Sequence, residues 1–329
     1  RLLENGANTS FIHQLNKKDS NTDILTQSPL SKLNKIKENQ IKKPENIFIG
    51  RKNSLGIDLT EENNIKLFTN LQSLENVKPR CIVNGTDKVT NITENIISPY
   101  DNTKIIGQAY YADENVIKEA IENLTLYSNE WKNSHLDMRI DIVNKFANLL
   151  ESNYHSLVSC CVKEAGKTIE DSIADIREAI DFCRYYAVEA KLIFQEKNLP
   201  GPTGEKNIYK LKARGLTCVI SPWNFPIAIF VGQMIAALVC GNVTIVKPAE
   251  QTSNLSYVIF KLLLKAGLPK NAAALILGKG EDIGSKIFSN NNLQNVVFTG
   301  SLETAKIIQK QLHERDDLIN LIAETGGLN

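Results

Sequence analysis

Surplus charge of either sign, histidine clusters and paired cysteine motifs are all missing from this sequence. The 38 lysine and arginine residues are balanced by 37 aspartate and glutamate residues, so the 329-residue chain has a formal net charge of only +1. A protein without surplus positive charge gains little from counterion release on a phosphate backbone, and we expect no binding to nucleic acid. The six cysteines show no CxxC spacing, and none of the four histidines form a pair near them. We therefore also expect no metal site.

The cysteines are scattered through apolar stretches. Dense disulfide frameworks belong to small secreted domains, whereas isolated thiols in apolar surroundings are typical of a reducing compartment. We therefore expect buried, reduced thiols and a cytoplasmic protein. The residues concerned are Cys81, Cys160, Cys161, Cys183, Cys218 and Cys240.

No charged residue lies between Arg214 and Lys247, and this stretch is long enough to cross a bilayer. A spanning helix would have to accommodate two prolines and a Gly-Asn break, each of which interrupts a helix. A buried strand, turn, helix and second strand needs those residues where they stand. The sequence therefore favours a core segment, and we expect no transmembrane segment.

Composition divides the chain into three parts. Residues 16–77 are rich in Asn, Lys, Ser and Thr and poor in aromatics, which predicts a flexible linker. Within it, Ile47–Asp58 is more apolar, and we expect it to pack on a neighbouring domain. Residues 1–15 begin like the last turn of a helix, and residues 78–329 form the main domain. Since the chain opens on Arg1 and stops at a Gly-Gly turn, we expect a segment of a longer protein.

The main domain begins with strand signals and continues with helices. The segments Cys81–Val83, Ile96–Ser98 and Ile105–Tyr110 predict an antiparallel ribbon. Helical periodicity over residues 113–196, followed by the Pro- and Gly-rich turn Leu199–Gly204, predicts a helical layer.

Beyond Arg214, short apolar strands alternate with helices. Strands that are apolar throughout, with helices between them, are typical of a parallel sheet covered on both faces. The predicted fold class is therefore α/β, a doubly wound parallel sheet preceded by the helical layer and the linker. The predicted strands are Leu216–Ile220, Val243–Val246, Ala273–Leu277, Asn295–Phe298 and Asn320–Ala323, and the predicted helices are Ile227–Val239, Leu255–Ala266, Asp282–Phe288 and Leu302–Leu312.

Polar segments follow several of these strands, whose carboxyl ends form the ligand-binding edge of such sheets. In Ser221–Pro226 two prolines fix the loop, and Asn224 can either donate a hydrogen bond to an oxyanion or form an Asx turn that caps the next helix. Lys247 and Glu250 can together hold a ribose diol, or they can form an ordinary surface ion pair.

A further segment places Gly300 and Ser301 at the start of a helix. Free N–H groups and the helix dipole suit a pyrophosphate there, although Gly-Ser also caps many helices without a ligand. Gly280 and Gly284 lie between another strand and its helix, where neighbouring acidic residues disfavour phosphate contact. We expect these two glycines beside an adenine.

Together these segments resemble, in order and spacing, the aldehyde dehydrogenase superfamily. The strongest resemblance is to the glutamate semialdehyde (pyrroline-5-carboxylate) dehydrogenase modules of bifunctional enzymes of proline catabolism, and it runs over nearly the whole chain. It rests on Ser221–Pro226, Gly241-Asn242 with Lys247–Glu250, Phe298–Ser301 and Glu324–Gly327, and on the further stretches Arg1–Phe11, Glu164–Thr168, Asp181–Ala187 and Leu199–Glu205.

The resemblance implies a small-molecule aldehyde substrate and NAD as cofactor. It makes Asn224 the oxyanion-stabilising amide and Glu324 the base that activates the deacylating water. Lys247 and Glu250 would contact the adenosine ribose, and Ser301 the pyrophosphate. The implied cofactor-binding residues are Ser221, Pro222, Trp223, Asn224, Lys247, Glu250, Gly280, Gly284, Gly300 and Ser301.

The resemblance also predicts that part of the enzyme is missing. The family's nucleophilic cysteine lies some tens of residues beyond the Glu-Thr-Gly-Gly segment, so we expect a chain truncated before that cysteine and inactive alone. Residues 1–15 resemble the end of a proline dehydrogenase domain, and FAD would belong only to that missing domain. A second copy of the chain or a complementing C-terminal fragment is the expected protein partner. The alternative is a non-catalytic, truncated or decayed gene product that at most binds nucleotide or a complementary fragment.

Overall fold

A seven-stranded sheet built mainly of parallel strands lies at the centre of the fold. The structure, a computed structural model, describes Ser28 and residues 41–71 and 77–326. Two compact units divide the chain, Arg1–Ile47 and Phe48–Asn329, and the sheet belongs to the second.

The described residues form eleven strands in three sheets. In chain order they are β1 (Cys81–Val83), β2 (Thr86–Lys88), β3 (Thr93–Ser98), β4 (Asp101–Tyr110), β5 (Lys197–Leu199), β6 (Asn207–Tyr209), β7 (Leu216–Ile220), β8 (Thr244–Lys247), β9 (Ala273–Leu275), β10 (Leu293–Thr299) and β11 (Asn320–Glu324). The large sheet has the order β11–β10–β7–β8–β9–β1–β2. Strands β7 to β11 pair in parallel, whereas β1 runs antiparallel to β9 and β2 antiparallel to β1.

Nine α-helices occur in the described ranges. They are α1 (Glu62–Lys66), α2 (Glu114–Lys132), α3 (Leu136–Ser152), α4 (Tyr154–Ala165), α5 (Ile169–Ile193), α6 (Ala228–Val239), α7 (Ser253–Lys265), α8 (Gly280–Phe288) and α9 (Leu302–His313). Short 3₁₀ turns span Pro44–Asn46 and Glu250–Thr252.

Helices cover both faces of the large sheet. Thr217 of β7 and Asn295 of β10 line a cavity together with residues of α5 and α6. Cys218 and Ile220, the alternate residues of β7, line a cleft with residues of α8 and α9. Because successive side chains of a strand point to opposite faces, the two helix groups lie on opposite sides. The predicted doubly wound parallel sheet is confirmed.

Helix α6 carries no charged residue of its own, and two buried charges from other helices bind its ends. At its first turn, the backbone N–H of Ala228 donates to Asp175 Oδ1 of α5 at 2.7 Å. At its last turn, Arg139 Nε of α3 donates to the carbonyl of Val239 at 2.9 Å. An anion at the N-terminus and a cation at the C-terminus both complement the helix dipole. The helical layer thereby fixes α6 against the sheet.

The predicted single ribbon over residues 81–110 is wrong. Strands β3 and β4 do form an antiparallel ribbon, but β1 leaves it and joins the large sheet, where Ile82 pairs with Leu275 of β9. All three residues of β1 are fully buried, because the sheet and its helices cover the strand. The predicted turn Leu199–Gly204 is the connection of a second, exposed hairpin formed by β5 and β6.

Part of the segment that composition assigns to a linker belongs to the second unit and packs on its helices. The N–H and Oγ of Ser54 donate to the two carboxylate oxygens of Asp181 in α5, at 2.6 and 3.0 Å. The hydroxyl of Tyr154 in α4 donates to the carbonyl of Leu55 at 2.9 Å. These polar contacts hold part of Ile47–Asp58, the apolar stretch for which the sequence predicts packing, against the helices. Residues 1–15, predicted to be a domain remnant, lie outside the described residues.

The charge-free stretch after Arg214 folds as a buried strand, a helix and a second strand. Its helix, α6, is only 12 residues long. Across residues 41–71 and 77–326, no helix has the length and apolar character that a membrane span requires.

A buried carboxyl group joins α4 to the start of α7. Glu164 accepts hydrogen bonds from the backbone N–H groups of Asn254 and Leu255, at 2.7 and 2.8 Å. Burial raises the pKa of Glu164 from 4.5 to about 8, and the two N–H donors offset this only in part. The native state therefore binds this proton more tightly than the unfolded chain does. The contribution of Glu164 to stability is consequently largest below about pH 4.5 and declines as the pH rises towards 8.

We expect Glu164→Gln to lower the free energy of unfolding by about 1–3 kcal/mol, because an NH₂ group replaces one acceptor and leaves a helix N–H unbonded. Urea unfolding measures this change. Between about pH 5 and 8 the wild-type free energy of unfolding should fall more steeply than that of the variant. Glu122→Gln, at an exposed position of α2, is the control and should alter neither quantity. Equal stability and equal pH slopes in Glu164→Gln and wild type would contradict this role.

Candidate active site

The order of the strands reverses between β7 and β10, and a crevice opens at that point. From β7, the sheet continues through β8 and β9 on one side and through β10 and β11 on the other. The pairing of β7 with β10 extends to Ile220 and Phe298. The chain then leaves β7 towards α6 and β10 towards α9, which lie on opposite faces. Ligands of parallel α/β sheets bind at such a switch point.

Gln233 of α6 bridges the two strands where they separate. With its amide oriented to satisfy both strands, the nitrogen donates to the carbonyl of Ile220 at 3.2 Å. The oxygen accepts from the N–H and Oγ1 of Thr299, at 3.3 and 2.6 Å. The sequence prediction missed this residue. The available signal was that Gln233 is the one polar side chain in the apolar helix Ala228–Val239.

The loop after β7 presents Asn224 between two exposed aromatic side chains, Trp223 and Phe225. The Oδ1 atom of Asn224 accepts from the backbone N–H of Phe225 at 3.2 Å, so the NH₂ group is the end of the amide that remains to donate. The predicted alternative, that Asn224 caps the next helix, is wrong, because Asp175 binds the first N–H of α6. An amide donor at this edge of the sheet suits a developing oxyanion.

Lys247 and Glu250 form a partly buried ion pair at the end of β8. Their Nζ and Oε2 atoms are 3.2 Å apart, and Lys247 also donates to the carbonyl of Pro248 at 3.1 Å. Only 7% of the Lys247 side chain is exposed, against 35% of that of Glu250. The alternative of an ordinary surface pair is therefore wrong. A buried cation beside a half-buried carboxylate offers a donor and an acceptor side by side, as a ribose diol requires.

Lys247 lines a cleft of about 280 Å³ between the sheet and helices α8 and α9. Gly280 begins α8, and a Cβ atom added there would lie 4.0 Å from Lys247 Nζ. Gly284 also lines the cleft, so the wall has no side chain at either glycine. Apolar side chains complete the walls, which suits a flat aromatic base. They include Ile220, Ile283, Ile287, Ile307 and Ile308.

Gly300 and Ser301 link β10 to α9. Ser301 Oγ accepts from the backbone N–H of Thr304 at 3.1 Å and is the N-cap of α9. A Cβ atom on Gly300 would lie 2.6 Å from the ring of Phe298, so a larger residue here would require this ring to move. Helix capping thus accounts for the Gly-Ser pair without a ligand. An anion can still bind the free N–H groups of the first turn.

Two further residues meet the crevice. Ser221, directly after β7, is buried, and its Oγ has no hydrogen-bond partner. Glu324 ends β11, where it pairs with Thr299, and it lines a cavity of about 680 Å³ that Gln233 also lines. The structure therefore brings Glu324 together with Thr299 and Gln233, and it places Ser221 and Asn224 on the neighbouring loop.

The crevice offers neither a metal centre nor a reactive thiol. No group of three metal-ligating side chains occurs in the part of the chain that the structure describes. All six cysteines are free and five are buried, and burial raises the pKa of every one, to about 12 for Cys81, Cys160 and Cys218. Cys240 is half-buried in the cavity that Glu324 lines. A catalytic thiol must ionise near neutral pH, and these surroundings oppose ionisation.

Known proteins resemble this chain over most or all of its length. Residues 87–329 match the aldehyde dehydrogenase family. The bifunctional protein PutA of Salmonella typhimurium is 33% identical over 351 residues, which cover 100% of this chain and 25% of that protein. The 1-pyrroline-5-carboxylate dehydrogenase of Staphylococcus saprophyticus is 32% identical over 286 residues, which cover 84% of this chain and 55% of that protein. The chain thus spans about a quarter of the length of the first and about half of the second.

Solved structures of related proteins also resemble this chain. Proline utilization A from Bdellovibrio bacteriovorus has a TM-score of 0.87 at 28% identity, covering 99% of this chain and 34% of that one. A mutant of Thermus thermophilus 1-pyrroline-5-carboxylate dehydrogenase has a TM-score of 0.79 at 26% identity, covering 85% of this chain and 56% of that one. The first match thus extends over nearly the whole chain and the second over most of it.

The burial of the thiols predicts a graded reactivity. We expect iodoacetamide at about pH 8 to modify Cys240 first, and the buried cysteines at least about 100-fold more slowly than in urea, because alkylation requires an exposed thiolate. Mass spectrometry of tryptic peptides measures the modified fraction of each residue. The same protein in urea is the control and should be alkylated at all six positions. Rapid alkylation of a buried cysteine in the folded protein would contradict the described packing.

Proposed function

Because the chain belongs to the aldehyde dehydrogenase family, as its match over residues 87–329 shows, we propose that it forms the NAD-binding part of a dehydrogenase of proline catabolism. The proposed reaction is the oxidation of L-glutamate γ-semialdehyde, in equilibrium with pyrroline-5-carboxylate, to glutamate. The names of the PutA and 1-pyrroline-5-carboxylate dehydrogenase relatives support this substrate. The observation that carries the proposal is the partly buried Lys247–Glu250 pair, whose lysine lines the cleft beside Gly280.

In this proposal a dinucleotide would lie along the crevice. Lys247 would donate to, and Glu250 accept from, the hydroxyls of the adenosine ribose. The apolar walls beside Gly280 and Gly284 would receive the adenine, and the N-terminus of α9 at Gly300-Ser301 the pyrophosphate. The buried, unpartnered Oγ of Ser221 supports a polar ligand near the loop after β7. Pro222 and Trp223 continue this loop, and bound NAD would supply the hydride acceptor.

Two groups of the chain would act on the substrate. The NH₂ group of Asn224 would donate to the oxygen of a thiol–aldehyde adduct as that oxygen gains negative charge. Glu324, at the exposed end of β11, would take a proton from the water that hydrolyses the thioester. Asn224 follows β7 and Glu324 ends β11, so both lie at the carboxyl ends of strands of one sheet.

We propose that the attacking thiol is none of the six cysteines of this chain, because burial raises the pKa of each of them. Their reduced state also supports a cytoplasmic location. The 329-residue chain alone, given NAD and the semialdehyde, should therefore form no NADH above background, as followed by the near-ultraviolet absorbance of NADH. Cysteine-dependent NADH formation by this chain would show that one of these thiols is the nucleophile.

Calorimetric titration tests the cofactor site directly. We expect NAD to bind, and Lys247→Met to weaken its binding at least about tenfold, since the ribose would lose its donor. Lys270→Met, away from the cleft, is the matched control and should bind NAD like wild type. Absence of NAD binding at millimolar concentration by the folded wild-type chain would contradict the proposed function.

The choice between NAD and NADP should depend on Glu250. A carboxylate beside the adenosine ribose repels a 2′-phosphate, and for a half-exposed group this costs about 1–2 kcal/mol, or roughly tenfold in affinity. We expect NAD to bind more tightly than NADP, and Glu250→Gln to narrow the difference in the same titration. Glu122→Gln, exposed on α2, should leave it unchanged. Equal affinity of the wild-type chain for both cofactors would show that Glu250 lies elsewhere relative to the ribose.

A further inference from the structure

Lys167 and Asp175 form a buried ion pair under the loop that carries Asn224. The Nζ of Lys167 lies 3.1 Å from Asp175 Oδ2, and their side chains are 13% and 0% exposed. Neither residue has a predicted role, although Lys167 lies in Glu164–Thr168, one of the stretches that carry the resemblance. The signal for Asp175 was a carboxylate on the apolar stripe of α5, whose neighbours Ile173 and Ile176 are buried.

The pair holds two points of the loop between β7 and α6. Lys167 Nζ donates to the carbonyl of Asn224 at 3.2 Å. Asp175 Oδ1 accepts from the N–H of Ala228 at 2.7 Å. Lys167 also lies 4.7 Å from the centre of the Phe225 ring, within range of a cation–π contact. One ion pair therefore binds the backbone of Asn224 and the backbone four residues later.

The chain fixes Lys167 from both sides. Gly166 ends α4 in the left-handed conformation, with a φ of 68°. Thr168 begins α5, where its hydroxyl accepts from the N–H of Asp171 at 3.0 Å. Lys167 thus stands on a short joint between two capped helices, and its ammonium group has little freedom to leave the loop.

Stability alone is a weak reason for this pair. Two charges lose their hydration when they are buried, and apolar residues of similar volume often stabilise a protein as well or better. Burial raises the pKa of Asp175 above its ordinary value, and the nearby Lys167 offsets this only in part. The ion pair instead orients the backbone groups that it binds, because hydrogen bonds to charged groups restrict their positions more narrowly than apolar contacts do.

We propose that Lys167 and Asp175 are positioning residues that fix the loop after β7 and hold the amide of Asn224 towards the crevice. The inference rests on the proposed role of Asn224 in the dehydrogenase reaction. Neither residue touches the reacting atoms in this scheme. Lys167 acts through the carbonyl of Asn224, and Asp175 acts through the start of α6.

The two tryptophans of the chain make the proposal measurable. Trp223 adjoins Asn224 and is 54% exposed, whereas Trp131 is buried and donates from its indole N–H to the carbonyl of Leu238 in α6. Incorporation of 5-fluorotryptophan gives one ¹⁹F resonance for each, and Trp223→Phe assigns them. Trp223 reports on the loop, and Trp131 reports on the packing of the helical layer.

We expect Lys167→Met and Asp175→Asn each to move and narrow the Trp223 resonance, because the loop becomes mobile. The Trp131 resonance should stay in place. Lys167→Arg retains the cation and should restore most of the wild-type Trp223 signal. Lys210→Met is the matched control, since it breaks an exposed ion pair with Glu196 at 3.3 Å, and it should change neither resonance.

An unchanged Trp223 resonance in both variants, or a change of both tryptophans in every variant, would overturn the proposal. The first result would show that the loop keeps its conformation without the Lys167–Asp175 pair. The second would show that the pair stabilises the whole unit and not the loop in particular. The outcome does not depend on the cofactor. A wild-type chain that fails to bind NAD would contradict the proposed function and would leave the Trp223 comparison valid.

Discussion

The helix α6 depends on charges that it does not possess. It is apolar apart from Gln233, and its ends are bound by Asp175 from one helix and Arg139 from another. Between these ends, Gln233 joins β7 to β10 where the two strands separate. An error in the placement of α6 would therefore alter the loop after β7 and the mouth of the crevice together. The helical layer supplies both charges, so the layer and the sheet must assemble as one unit.

Three buried ionisable side chains share one arrangement: each binds the backbone of a different element. Glu164 binds the first turn of α7, and Asp175 and Arg139 bind the two ends of α6. An unpaired buried charge would cost several kcal/mol, so each pair of elements has to meet in one relative position. Apolar packing tolerates small shifts between helices, whereas these contacts do not. The position of the sheet edge is consequently defined by hydrogen bonds between elements.

Local patterns were enough to predict the parallel sheet, because an apolar strand buried on both faces has a composition that no surface strand shares. They also indicated Lys247 and Glu250, since a cation and an acid directly after a strand lie at its carboxyl end. Contacts between distant segments left no such pattern. The pairing of Ile82 with Leu275 and the bond from Asp175 to Ala228 join residues far apart in the chain. A single sequence shows which side chains could pair but not which distant segments meet. The sheet position of β1 and the contacts of Lys167 and Asp175 could therefore not be predicted.

The burial that makes the sheet edge rigid also limits what its cysteines can do. The carbonyl of Asn224 and the N–H of Ala228 are fixed because α5 and α6 exclude water around Lys167 and Asp175. The same exclusion surrounds the thiols and disfavours their ionised form. A nucleophilic thiolate needs the opposite surroundings, a polar and partly exposed position near positive charge. Rigid placement of donors and generation of a thiolate are therefore competing demands on one apolar core. Residues that approach the crevice from outside the packed sheet can satisfy the second demand without weakening the first.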